Sequence, residues 1–131
     1  MDKKLNRELM GYAEECLQDK KCPLYKKDGN GVIHESYNGQ VSALGVSILM
    51  IGLRATLAVY YQDEPKSSDK AYRRNLLEVI VKMMNKKRNA NFSNAEDFVR
   101  EVMKGDEKNW KTDVVDCSVA LKQVIRTYKL G

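Results

Sequence analysis

The sequence predicts an all-α fold: a single helical domain over residues 1–131, a bundle of about five helices with a buried central helix. Three observations predict it. Apolar residues recur at helical steps along most of the chain. No segment alternates apolar and polar residues as a strand would. Short stretches rich in Pro, Gly, Ser and Asn separate the periodic segments. The composition agrees: 43% of residues are apolar and 31% charged. That is too apolar for a disordered tail and too charged for a membrane bundle. At this length, folding hides roughly two-thirds of the unfolded chain's surface, so one core suffices without staples.

The first helix is expected over residues 2–19, where Leu5, Leu9, Tyr12, Ala13, Cys16 and Leu17 share one face. From Lys20 to Glu35, Pro23, Gly29, Gly31 and the lysines Lys20, Lys21, Lys26 and Lys27 mark a loop, with a turn at Asp28-Gly29-Asn30-Gly31. Tyr37 to Gln62 spans 26 residues and carries one charge, Arg54. Asn38, Gln40, Ser42, Ser47 and Thr56 interrupt it, so it does not meet the need of a membrane span for about 20 predominantly apolar residues. A helix that is apolar all round is expected at the centre of a bundle. Gly45 and Gly52, seven apart, then face a closely approaching neighbour, or one of them marks a break.

Asp63 to Asp69 reads as a linker. The next helix is expected from near Ser68 to about Lys86, with Ala71, Leu76, Leu77, Val79, Ile80, Met83 and Met84 as its apolar positions, followed by a polar loop over Asn85 to Asn91. Ser93 and Glu96 match a capping box ahead of Phe98-Val99 and Val102-Met103. Gly105 stops that helix. The last helix carries Trp110, Val114, Cys117, Leu121, Val124 or Ile125, and Tyr128.

Catalytic patterns are absent. His34 is the only histidine and sits in a loop. There is no HExxH, no GxxxxGK[ST] and no GxGxxG, so neither a helical zinc site nor a phosphate-cradling loop is indicated. The pairs Glu14-Glu15, Glu96-Asp97 and Asp106-Glu107 suit solvated positions. Cys16, Cys22 and Cys117 are odd in number and lack CxxC spacing, which suits reduced thiols in the cytoplasm. The charged start Met1-Asp2-Lys3-Lys4-Leu5 lacks the apolar run of a signal peptide. No catalytic residue, metal site or cofactor is expected.

The formal net charge is +5. Residues 64–88 hold eight basic and three acidic residues, an excess equal to that of the whole chain. Lys66, Lys70, Arg73 and Arg74 fall at i, i+4, i+7 and i+8, one face of a helix that starts early enough. Such a face suits either a phosphate backbone or plain solvent. No RNP aromatic pattern, KH loop or zinc finger accompanies it, so any nucleic-acid contact is expected to be independent of sequence.

Two stretches resemble a known family. Gly39-Gln40-Val41-Ser42-Ala43-Leu44-Gly45-Val46-Ser47-Ile48 with Gly52-Leu53-Arg54-Ala55-Thr56-Leu57-Ala58-Val59-Tyr60 is similar to the signature helix of the small α-helical subunit of the CRISPR type III-B Cmr effector complex. Val115-Asp116-Cys117-Ser118-Val119-Ala120-Leu121-Lys122 with Ile125-Arg126-Thr127-Tyr128 resembles that family's closing helix. The resemblance implies a non-catalytic subunit that stacks with copies of itself as a minor filament. It implies the other Cmr subunits, guide RNA and target RNA as partners, and no membrane. It carries over only the role of a basic face. The candidates for that face, chosen by charge, are Lys70, Arg73, Arg74, Lys82, Lys86, Lys87 and Arg88, with Arg54 and Arg126 outside the cluster. The alternative is a helical protein-interaction adaptor that binds no nucleic acid.

Overall fold

The computed structural model describes residues 1–27, 31–67 and 70–131. The turn expected at Asp28-Gly29-Asn30-Gly31 falls largely outside them, as does the helix start expected near Ser68. The described residues form six α-helices and no strand: α1 Lys3–Gln18, α2 Ser36–Ile51, α3 Leu53–Gln62, α4 Arg73–Arg88, α5 Ala95–Lys104 and α6 Lys108–Ile125. One apolar core draws side chains from all six. No helix among the described residues is long and apolar enough to cross a membrane.

Helix α1 follows its periodicity. The Asp2 carboxylate accepts the Leu5 N–H at 2.7 Å, which satisfies a donor the helix itself leaves unpaired. Leu9, Ala13, Cys16 and Leu17 are buried against α4 and α6.

The sixth helix arises because the expected central helix is two. It breaks at Gly52, whose φ of 92° and ψ of 165° lie in a region open essentially to glycine alone. The new end is held by the α5–α6 turn. Glu107 accepts the Arg54 N–H at 3.0 Å and so caps α3, which has no cap of its own. In return the Arg54 guanidinium donates to the Val102 carbonyl at 3.0 Å and to the Gly105 carbonyl, closing the end of α5. Across the elbow, the buried Thr56 hydroxyl meets Ser47 at 2.8 Å. Gly45 has the expected close neighbour: a Cβ there would sit 3.2 Å from Ser118 of α6.

The expectation of a buried central helix is corrected as well. Helix α2 buries Tyr37, Val41, Leu44 and Ile48, facing α6, α3 and α4. Its other side, with Val46, Leu49, Met50 and Ile51, is exposed.

Helix α4 begins at Arg73, so Ala71 precedes it, and Asp63 supplies its cap. The Asp63 carboxylate accepts the Arg73 N–H at 2.7 Å, and the Asp63 carbonyl accepts the Arg74 N–H at 3.2 Å. The buried Tyr37 hydroxyl fixes the same corner, accepting from the Tyr72 N–H and from Asn75. Helix α4 also runs past Lys86 and ends at Asn89, which takes up a left-handed conformation. The cap of α5 is Asn94, not Ser93: its side chain accepts the Asp97 N–H at 3.0 Å. Phe92, Phe98 and Trp110 then pack edge to face.

The described parts of the loop after α1 are tied to residues 129–131. Tyr25 pairs with Ile33 and Ile33 with Leu130 as isolated bridges. Lys26 N–H donates to Val32 at 2.9 Å, Ile33 N–H to Lys129 at 2.9 Å, and Gly131 N–H to Ile33 at 3.0 Å. Leu24 and Ile33 seal the core beneath. All three cysteines are free and buried; burial pushes Cys22 to about 11 and Cys117 to about 12, so both stay protonated thiols.

Gly52→Ala must place a side chain at positive φ with its Cβ about 3.0 Å from Glu107. The expected outcome is a loss of about 1–3 kcal/mol, read from urea unfolding, with helical content kept. The N–H of Arg54, first among its influences, holds the Glu107 carboxyl below its ordinary value of 4.5. Glu107 therefore contributes stability above that value, and the contribution disappears as pH falls through the lower folded-state value. Denaturation midpoints followed into acid should fall less steeply in Glu107→Gln than in the parent chain.

Candidate nucleic-acid interface

The structure does not assemble the helical face expected from Lys66, Lys70, Arg73 and Arg74. With α4 starting at Arg73, Lys66 and Lys70 lie in the linker before it. The cluster is divided between cations that hold the fold and cations that face solvent.

Arg73 pairs with Asp63 at 3.4 Å and lies over the Tyr60 ring. Arg74 donates to the Tyr61 carbonyl at 2.6 Å and stacks on the Tyr61 ring at 3.8 Å. Both arginines therefore pin the start of α4 to α3. Lys86 reaches Glu15 of α1 at 2.7 Å, and that hydrogen bond raises its pKa. Lys87 and Arg88 converge on Asp113 of α6, at 3.4 and 2.6 Å. Arg88 also donates to the Asn109 carbonyl and side chain and lies 4.3 Å over the Trp110 ring. Such partly buried, multiply bonded arginines act as fixed links between elements. Arg54 holds the α5 end, and Arg126 donates to Asn38 at 3.2 Å. Lys70 and Lys82 are exposed, and neither makes a hydrogen bond or ion pair among the described residues.

The residues weighed for catalysis do not converge. His34 accepts the Ser36 N–H on Nδ1 and turns its edge toward Tyr37. Glu14 accepts from Gln18 and Tyr128, Glu96 from Tyr61, and Asp106 from the Lys108 N–H. Among the described residues no group of three or more His, Cys, Asp or Glu could hold a metal ion.

Two features escaped the sequence reading. The first is a set of lysines around the paired loop. Lys26 and Lys27 stand between two surface pockets, one completed by Lys70 and His34, the other by Lys20 and Tyr128. The four lysines between Lys20 and Lys27 were visible as loop residues; nothing in the sequence placed Lys70 or Lys129 beside them. The second is the outer side of α2 and α3. Val46, Leu49, Met50, Ile51 and Val59 are 57, 69, 78, 56 and 52% exposed. A shallow groove beside them is lined by Gly45, Val46 and Leu49 of α2 and by Val115 and Val119 of α6. The signal was the missing charge, which was taken for full burial.

A protein-family model described as CRISPR-associated protein (Cas_Cmr5) matches residues 8–113. No curated protein and no solved structure matches the chain.

The division of the basic cluster is open to measurement. Arg88→Ala removes the charged hydrogen bonds that hold Asp113, itself 14% exposed, and should cost about 1.5–3 kcal/mol. Lys82→Ala should stay within about 0.5 kcal/mol of the parent. Urea unfolding of the two variants makes the comparison.

Proposed function

The chain belongs to the Cas_Cmr5 family of CRISPR-associated proteins, the small subunit of the type III-B Cmr complex, and on that premise we propose that it is a non-catalytic structural subunit. In this reading the chain is one cytoplasmic helical domain. It stacks on further copies of itself as a minor filament and contacts the backbone of guide or target RNA through basic residues.

The observation that carries the stacking is the outer face of α2 and α3. An uncharged helix is ordinarily surrounded by protein, yet this one presents Leu49, Met50 and Ile51 to solvent at its C-terminal end. Ala55, Ala58 and Val59 extend the apolar surface along α3. Contiguous apolar surface of this kind marks an interaction site. The next copy in the filament is the occupant this reading assigns to it, with the α2–α6 groove receiving part of its surface.

One observation favours the alternative, a helical adaptor without nucleic-acid binding: most cations of α4 are engaged within the fold. The two readings part on whether removing this subunit from the assembled complex changes its affinity for target RNA. The subunit reading expects weaker binding, and the adaptor reading expects no change.

Leu49→Glu with Met50→Glu places two charges on the exposed face without touching the core. The variant should keep its helical content and melting temperature. It should be lost from Cmr complexes reconstituted from purified subunits and guide RNA, as read by native mass spectrometry. Unchanged copy number in the complex would remove the stacking role of this face.

A further inference from the structure

We propose that the RNA-backbone contact of this subunit is a lysine platform built from the loop after α1, the linker before α4 and the chain's last residues: Lys20, Lys26, Lys27, Lys70 and Lys129. The inference rests on the Cmr-subunit reading and names the site within it.

Three observations carry it. The first is convergence. The five lysines come from three separate stretches of chain; backbone hydrogen bonds tie the first stretch to the last, and Lys70 of the second lines a pocket with Lys26 and Lys27. Lys26 is fixed to Val32, and Lys129 to Ile33, each at 2.9 Å. Lys70 shares one pocket with Lys26 and Lys27, and Lys20 shares the other with the same pair. The second is availability. None of the five side chains has a hydrogen bond or ion pair among the described residues, whereas the cations of α4 are largely paired. Among the described residues no carboxylate pairs with them: Glu14 accepts from Tyr128 and Gln18, Asp19 accepts the Lys21 N–H, and neither these nor Glu35 forms an ion pair with the five. The third is support. Leu24 and Ile33 are fully buried beneath the platform, so its backbone is seated on the core.

The chemistry selects a polyphosphate strand. Lysine is a hydrated point charge on a flexible stem, suited to phosphate oxygens and poor at reading base edges. The adjoining aromatic hydroxyls are already engaged, Tyr25 with the Leu17 carbonyl and Tyr128 with Glu14. The platform therefore holds the RNA backbone without regard to sequence.

The test uses complexes reconstituted with guide RNA and either the parent subunit or Lys26→Gln/Lys27→Gln/Lys129→Gln, titrated with labelled target RNA at several salt concentrations. Each phosphate contact adds about 0.7–0.9 to the slope of log affinity against log salt, so the triple variant should flatten it by roughly 2. Lys108→Gln, at the start of α6, should leave the slope unchanged. An unflattened slope in a complex that contains the triple variant overturns the platform. So does loss of the variant from the complex, which would show that the lysines face protein. Failure of the Cmr-subunit reading appears separately, as failure of the parent chain to enter the complex.

Discussion

The fold turns on the exchange between Arg54 and Glu107. Breaking a helix in the middle of an apolar stretch leaves carbonyls and N–H groups without partners, and these are costly where water is scarce. Here the two breaks satisfy each other. Glu107, at the start of α6, caps the new end of α3, while Arg54, in the first turn of α3, takes the carbonyls that finish α5. Gly52 makes the exchange possible, since its backbone angles and the nearness of Glu107 leave no room for a side chain. The elbow sets the direction of α3, and α3 in turn carries Tyr60 and Asp63 to the places where α2 and α4 need them. The Tyr60 hydroxyl donates to the Gln40 carbonyl at 2.7 Å, and Asp63 caps α4.

With those corners fixed, charge and apolar surface separate over the molecule. The outer side of α2 and α3 offers exposed apolar residues, Val46, Leu49, Met50, Ile51 and Val59. The loop after α1 and the last residues offer unpaired lysines. The α4 cations are largely paired within the fold. Under the proposed function the separation has a physical reason, because a lysine buried within a stacking face without a partner would carry a desolvation cost. All three thiols are buried.

Much of this was legible in the sequence. The periodicity of α1, α4, α5 and α6 named most of their buried residues, since a one-sided apolar stripe has only one way to meet a core; it missed Val81, Ala95, Ser118 and Ala120, while Met103 and Trp110 are half-buried and Tyr128 lies beyond the end of α6. Gly45 was read as a point of close approach, and Ser118 lies against it. The failures share a cause. Ser93-x-x-Glu96 looked like a capping box, but Asn94 competes for the same role one residue later and wins. The start of α4 was placed too early because its cap, Asp63, is ten residues away in sequence. The arginines on α4 looked like a face for a ligand, yet Asp63 and Asp113, their partners, stand on other elements.

The sequence by itself determined the all-helical class, the inward faces of most helices and the family, because each follows from local spacing or from a run of residues read in order. It also held the sign that α2 was unusual, in a stretch of 26 residues with a single charge. Only the tertiary structure decided what that meant. Whether an uncharged helix is enclosed or left open depends on how many neighbours reach it, and α2 has neighbours on one side alone. The same holds for the cations: charge is a property of the chain, but availability is a property of the fold, set by which carboxylates and carbonyls arrive from elsewhere.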